Sequence, residues 1–210
     1  MSSVQWPDLK RNLVAILRGI KPEETEAVVE ALLDAGFEAI EIPLNSPDPF
    51  TSIGKARKLA PADRLIGAGT VLTLDQVERL ADCGGNLVVT PNTNPDVIRA
   101  AGAKGMVTMP GAFTATEALA AAEAGASALK FFPASVLGPE GIGAIRAILP
   151  AGLRLGAVGG VSDADYGRYL KVGVTCFGLG SSLYKPGDSA AVVAERAKAT
   201  VEAYDKAVAG

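Results

Sequence analysis

The chain has 210 residues, a net charge of −3 and no histidine. Hydrophobic residues at 49% and charged residues at 20% supply a sizeable core and exclude a disordered or fibrous chain, while the weakly acidic balance argues against nucleic-acid or anionic-membrane partners. Without imidazole there is no Ser-His-Asp or Cys-His site, no histidine zinc site and no histidine proton shuttle, so any acid–base chemistry falls to carboxylate, Lys, Tyr, Cys or water.

The N-terminal stretch MSSVQWPDLKRN has no apolar signal core, and Gly, Pro and charge break every apolar run before membrane-spanning length. A cytoplasmic protein is expected. From there, short apolar runs alternate with helical patterns. Strands are predicted at 13–17 (LVAIL), 39–44 (AIEIPL), 65–71 (LIGAGTV), 87–90 (LVVT), 106–109 (MVTM), 128–132 (ALKFF), 154–158 (RLGAV) and 175–179 (TCFGL). None shows sustained polar alternation, which suits a parallel sheet covered on both faces.

Helix signals fill the gaps. Pro22 opens one helix and Gly36 stops it. Thr73 with Gln76 and Thr114 with Glu117 have capping-box spacing, and Asn94-Pro95 offers a cap followed by proline. Gly84, Gly102, Gly125 and Gly173 are placed as C-terminal stops, and 189–208 reads as an alanine-rich helix. Cys83 and Cys176 are expected to be buried free thiols. Eight strand–helix units of roughly 26 residues fit a small (β/α)8 TIM barrel, one α/β domain over residues 1–210. An open doubly wound sheet is the alternative, but the first turn, RGIKP, is no dinucleotide fingerprint.

In a barrel, chemistry sits where strands run into their following loops. Those positions hold Arg18, Glu41, Thr70, Pro91-Asn92, Pro110-Gly111, Lys130, Gly159-Gly160 and Gly180-Ser181-Ser182. Lys130 lies between Leu129 and Phe131-Phe132; a desolvated ammonium there loses its proton more easily and becomes a Schiff-base nucleophile, unless the side chain snorkels or pairs with an acid. Glu41 has similar flanks and is either a proton carrier or half of an ion pair with Lys130 or Arg18. Two Gly/Ser stations, GAVGGV and FGLGSSL, follow the last two strands, where barrels bind phosphate, with helix N-termini expected near Ser162 or Ser182. Arg18 suits a substrate carboxylate, and Thr70 adds a hydroxyl; each equally suits a structural role. Tyr166, Tyr169 and Tyr184 are assigned to packing or solvent. No acidic cluster has metal-ligand spacing, so neither metal nor cofactor is expected. The set implies a phosphorylated α-keto acid and carbon–carbon bond cleavage or formation.

The segments RGI, GFEAIEIPLNSP, GAGTVL, VTPN, ALKFFPA, AVGGV and GLGSSLY, in this order along nearly the whole chain, resemble the Schiff-base aldolases of 2-keto-3-deoxy-6-phospho sugar acids. The resemblance implies Lys130 as the Schiff-base residue and Glu41 as general acid/base. It places Arg18 and Thr70 on the substrate's carboxylate and neighbouring oxygens, phosphate on Gly159, Gly160, Gly180, Ser181 and Ser182, and Pro91 and Val158 among the substrate-binding residues. The products implied are pyruvate and glyceraldehyde 3-phosphate, and the assembly implied is a homotrimer. Two positions resemble the branch that takes the galactonate epimer: Asn45, where phosphogluconate enzymes usually carry arginine, and Val158, where they carry threonine. Cleavage of the phosphogluconate epimer or of 4-hydroxy-2-oxoglutarate is the alternative within the class. A phosphosugar isomerase or a non-catalytic phosphate-binding barrel is the alternative outside it.

Overall fold

A computed structural model describes residues 4–210. Nine short parallel strands form one sheet: β1 (Leu13–Ile16), β2 (Ala39–Pro43), β3 (Leu65–Gly69), β4 (Leu87–Val89), β5 (Val107–Met109), β6 (Gly111–Ala112), β7 (Ala128–Phe131), β8 (Arg154–Val158) and β9 (Cys176–Leu179). Eight helices surround it: α1 (Pro22–Ala35), α2 (Pro49–Leu59), α3 (Leu74–Asp82), α4 (Pro95–Ala103), α5 (Ala115–Glu123), α6 (Ala134–Arg146), α7 (Tyr166–Lys171) and α8 (Ala190–Ala209). Among the described residues no helix is long and apolar enough to cross a membrane.

The strand order is β5-β4-β3-β2-β1-β9-β8-β7-β6. The predicted fifth strand, 106–109, forms as β5, and β6 is an unpredicted strand just beyond Pro110, which has no N–H to continue the ladder. Residues 107–109 pair with β4 and residues 111–112 pair with β7, so the two ends of the sheet are halves of one interrupted segment and the ring closes there. Two side chains complete the seam. The Thr108 N–H donates to Ser127 Oγ at 2.9 Å, and the Ser127 N–H donates to Thr108 Oγ1 at 3.1 Å.

Side chains alternate between two cores, as strand geometry requires. Leu13, Ala15, Ile40, Ile42, Ile66, Ala68, Leu129, Phe131, Leu155, Ala157 and Phe177 point out to the helices. Val14, Ile16, Ala39, Leu65, Leu87, Val89, Val107, Met109, Ala128, Val158 and Cys176 point in, and Trp6 and Leu9 plug that inner core from below. Trp6 Nε1–H donates to Asn12 Oδ1 at 2.9 Å, so the plug keeps its one polar atom satisfied.

The capping signals hold at Gly36, Thr73–Gln76, Thr114–Glu117 and Asn94, each with its cap geometry or hydrogen bonds in place. Gly102 does not stop its helix: α4 runs through it to Ala103, and Gly105, with φ 74°, makes the left-handed exit. None of the three tyrosines faces solvent. Tyr166 packs on Phe177 with ring centroids 4.6 Å apart, Tyr169 donates its hydroxyl to the Ala134 carbonyl, and Tyr184 donates to Glu24. Both cysteines are free, but Cys83 is only half-buried.

Candidate active site

Glu41 and Lys130 occupy inward positions of β2 and β7, since Ile40, Ile42, Leu129 and Phe131 take the outward ones. The strand neighbours supply their room. Gly67, Gly69, Gly156 and Gly178 stand at the surrounding register positions, and a Cβ on Gly69 would overlap the Glu41 carboxylate. The interior is therefore filled by apolar side chains at its lower end, and at its upper end two ionisable groups join the apolar ones.

Both groups are taken out of water: Glu41 is 2% exposed and Lys130 6%. Burial pushes the Glu41 carboxyl up to about 7, against the opposing pull of Lys130 and Arg18. Burial likewise lowers Lys130, which Glu41 partly offsets and the Arg18 charge reinforces. Glu41 Oε2 has no hydrogen-bond partner, and among the described residues no ion pair joins Glu41 to Lys130 or Arg18. A buried carboxylate oxygen without a partner is costly to the fold. The arrangement suits a carboxyl that exchanges a proton with something arriving in the cavity. Lys130 Nζ lies 4.9 Å from the Phe132 ring centroid, a face that favours a cation on that nitrogen.

Above the pair opens a cavity of about 540 Å³. Its wall brings together the predicted residues Arg18, Thr70, Pro91, Lys130, Val158, Gly159, Gly160, Gly180, Ser181 and Ser182. Glu41 is not among the lining residues; its carboxylate lies against Gly69 and feels the charges of Lys130 and Arg18. Asn92, Pro110 and Gly111, also noted at strand ends, are not part of it. A larger groove of about 650 Å³, lined by Gly143, Arg146, Gly152, Arg154 and Thr175, contains neither Lys130 nor Glu41. It opens where β8 begins, away from the strand ends that carry the ionisable pair. Among the described residues there is no group of three or more His, Cys, Asp or Glu side chains able to hold a metal ion.

Two backbone features mark the cavity wall. Thr70 has φ 59°, a left-handed conformation that costs a β-branched residue on the order of 1–3 kcal/mol. Gly159 and Gly160 have φ 89° and 71°; a Cβ on the first would press on the Phe132 ring at 3.1 Å, and one on the second would overlap Ser135. Among the described residues, the N–H groups of Gly160, Val161, Ser181 and Ser182 bond to no other backbone group. All four residues line the cavity, so backbone donors are available there for an anion. Of the two helix N-termini expected here, the one at Ser162 is present: Ser162 caps a 3-10 turn, Asp163–Asp165, that runs into α7. Ser182 starts no helix, and the Ser162 N–H and hydroxyl both donate to Asp165, at 2.8 and 2.7 Å, in a capping turn that precedes α7.

Sequence reasoning did not single out Ile16, Phe132 and Lys185 in the wall, whereas Val161, Ser162 and Gly178 lie in or beside the two glycine stations. Phe132 and Ile16 lie two residues from Lys130 and Arg18, so strand alternation could have found them. Lys185 lies in irregular backbone and gives no such signal.

The described geometry has counterparts among known proteins. The family model described as "KDPG and KHG aldolase" matches residues 9–196. A "Probable 2-dehydro-3-deoxy-6-phosphogalactonate aldolase" of Rhizobium meliloti (strain 1021) is 65% identical over 210 residues, covering 100% of this chain and 99% of its own. The "2-dehydro-3-deoxy-6-phosphogalactonate aldolase" of Escherichia coli (strain K12) is 49% identical, covering 98% and 100%. A solved structure described as "Native KDPGal structure" superposes with a TM-score of 0.95 at 48% identity, over 98% of this chain and 100% of that one. With a desolvated lysine at the mouth of the barrel and a family match over most of its length, the chain belongs to the KDPG and KHG aldolases.

Proposed function

We propose that the chain is a lyase that cleaves 2-dehydro-3-deoxy-6-phosphogalactonate to pyruvate and glyceraldehyde 3-phosphate through a Schiff base. The observation that carries this reading is Lys130, a lysine held out of water in the cavity wall above the buried Glu41 carboxyl. The relatives named for that substrate support it at 65% and 49% identity.

Neutral Lys130 Nζ attacks the C2 ketone, and the carbinolamine loses water to give an iminium. Glu41 takes the C4 hydroxyl proton as the C3–C4 bond breaks. The bond's electron pair moves into the iminium, forming an enamine, and glyceraldehyde 3-phosphate departs. Glu41 returns its proton to C3, and water then releases pyruvate and restores the lysine. A carboxyl near pKa 7 gives and takes a proton at neutral pH with little bias, as both half-steps require. Arg18 and Thr70 hold the substrate's carboxylate end, beside Pro91. The phosphate lies on Gly159, Gly160, Gly180, Ser181 and Ser182, where the N–H groups of Gly160, Ser181 and Ser182 make no backbone hydrogen bond and are open to an anion.

Further parts of this reading are a role in galactonate catabolism in the cytoplasm, the whole chain working as one domain, and a homotrimeric assembly. Exposed apolar side chains support assembly, including Val136 (72% exposed) and Ile148 (54%). The test is the rate of pyruvate release from the phosphogalactonate acid, its phosphogluconate epimer and 4-hydroxy-2-oxoglutarate. The galactonate epimer is expected to have the highest kcat/KM. A preference for either rival would move the substrate assignment, and aldose–ketose interconversion without pyruvate would replace the lyase reading with an isomerase.

A further inference from the structure

Arg18 reaches the cavity from the end of β1 on a long side chain that is exposed. A free guanidinium there would sample many rotamers and present no fixed fork to a carboxylate. Its position is nevertheless defined. Arg18 Nη1–H donates to Asn45 Oδ1 at 2.7 Å. Asn45 stands on the loop after β2, between Pro43 and Pro47, where three prolines in seven residues restrict the backbone. The next residue, Ser46, is buried, and its Oγ accepts the Gly19 N–H at 2.9 Å. Two successive residues of one loop therefore grip two successive residues of the other. On the far side Gly19 abuts Pro186, so close that a Cβ there would sit 2.7 Å from its ring.

We propose that Asn45 is a positioning residue: its side-chain amide fixes the Arg18 fork for the substrate's carboxylate while leaving the guanidinium's charge unpaired. A guanidinium has five N–H donors, and the Asn45 bond takes one. The neutral amide oxygen orients without neutralising, and among the described residues no carboxylate forms an ion pair with Arg18. An aspartate at 45 would have almost the same shape and would occupy the same fork as a salt bridge, so the incoming carboxylate would have to displace it. This inference rests on Arg18 binding that carboxylate, as set out above.

The experiment is borohydride trapping of pyruvate on Lys130 across a pyruvate titration, with kcat and KM for cleavage, on wild type, Asn45→Asp, Asn45→Ala and Arg18→Ala. Asn45 is exposed, so the variants are expected to fold, and circular dichroism checks it. Asn45→Asp is expected to raise half-saturating pyruvate about tenfold or more, and Asn45→Ala about three- to tenfold, with maximal trapping and kcat within about twofold of wild type. Loss in Arg18→Ala with wild-type half-saturation in both Asn45 variants overturns the positioning role alone. Wild-type half-saturation in Arg18→Ala overturns the carboxylate assignment of Arg18 and this inference with it. An equal fall in kcat and maximal trapping without a change in half-saturation would mean that Asn45 serves the fold of the loop, and also overturns the proposal.

Discussion

The two ends of the barrel interior are built from the same strands yet differ in every property that matters. The lower end is closed by Trp6 and Leu9 over Leu65, Leu87, Val107, Ala128 and Cys176, all apolar or small and all buried. At the upper end glycines at 67, 69, 156 and 178 make room for Glu41 and Lys130, which sit among Ile16, Val89, Met109 and Val158. One end lowers the free energy of the fold. The other raises it, because two ionisable groups are desolvated and a carboxylate oxygen has no partner. The difference teaches that stability and chemistry are separated along the strand direction, about two residues apart on each strand.

Substitutions at the two ends sharpen this contrast. The largest effect is expected from Glu41→Gln, which removes the proton carrier but not the shape: kcat should fall by about 10²–10⁴ with folding intact. Next comes Trp6→Ala at the closed end, expected to cost about 3–5 kcal/mol in denaturant unfolding while leaving kcat near wild type. A large loss of kcat in that variant at a temperature where it is folded would break the separation. Gly69→Ala reverses the pattern, because its methyl displaces the Glu41 carboxylate. Turnover should drop about a hundredfold for a stability cost of about 1–3 kcal/mol.

A smaller effect concerns pH. The Glu41 carboxyl titrates at about 7 in the fold and at its ordinary 4.5 when unfolded. A raised pKa means that its neutral form is favoured by folding, so its contribution is fully present below pH 4.5, declines between 4.5 and 7, and is gone above 7. Glu41→Gln lacks this loss. Its advantage in unfolding free energy over wild type should grow by on the order of 3 kcal/mol between pH 4 and 8. A constant difference across that range would contradict a desolvated, titrating Glu41. The smallest effect is expected at Val158, which lines the cavity. Val158→Thr should shift the epimer preference toward phosphogluconate by about tenfold or less, measured as a ratio of kcat/KM values.

Much of this frame was legible in the residues. Strand length, apolar flanks and helix caps are local signals, and they placed Lys130, Glu41 and the glycine stations at strand ends before any geometry. What was hidden depends on contacts between segments. Both faces of these strands are buried, so no polar alternation revealed that Glu41 and Lys130 point inward rather than toward the helices. The short strand beyond Pro110 carries no sequence signal of its own, and only its pairing with a different neighbour from that of β5 shows the barrel seam. The clasp between Arg18 and Asn45 joins residues 27 apart in sequence. Ser162 caps a helical turn as its sequence suggests, and the fold adds that Asp165 accepts both its N–H and its hydroxyl. Gly102 carries the composition of a helix stop, but the helix runs one residue past it and the left-handed exit falls at Gly105.

The central claim is that desolvated Lys130 forms a covalent imine. Its most direct test is intact-mass spectrometry after incubation with pyruvate and borohydride, on wild type and on Lys130→Ala shown to be folded by circular dichroism. A reduced pyruvate adduct on wild type, absent from the variant, is the predicted result. No adduct on folded wild type, or an equal adduct on both proteins, would contradict it.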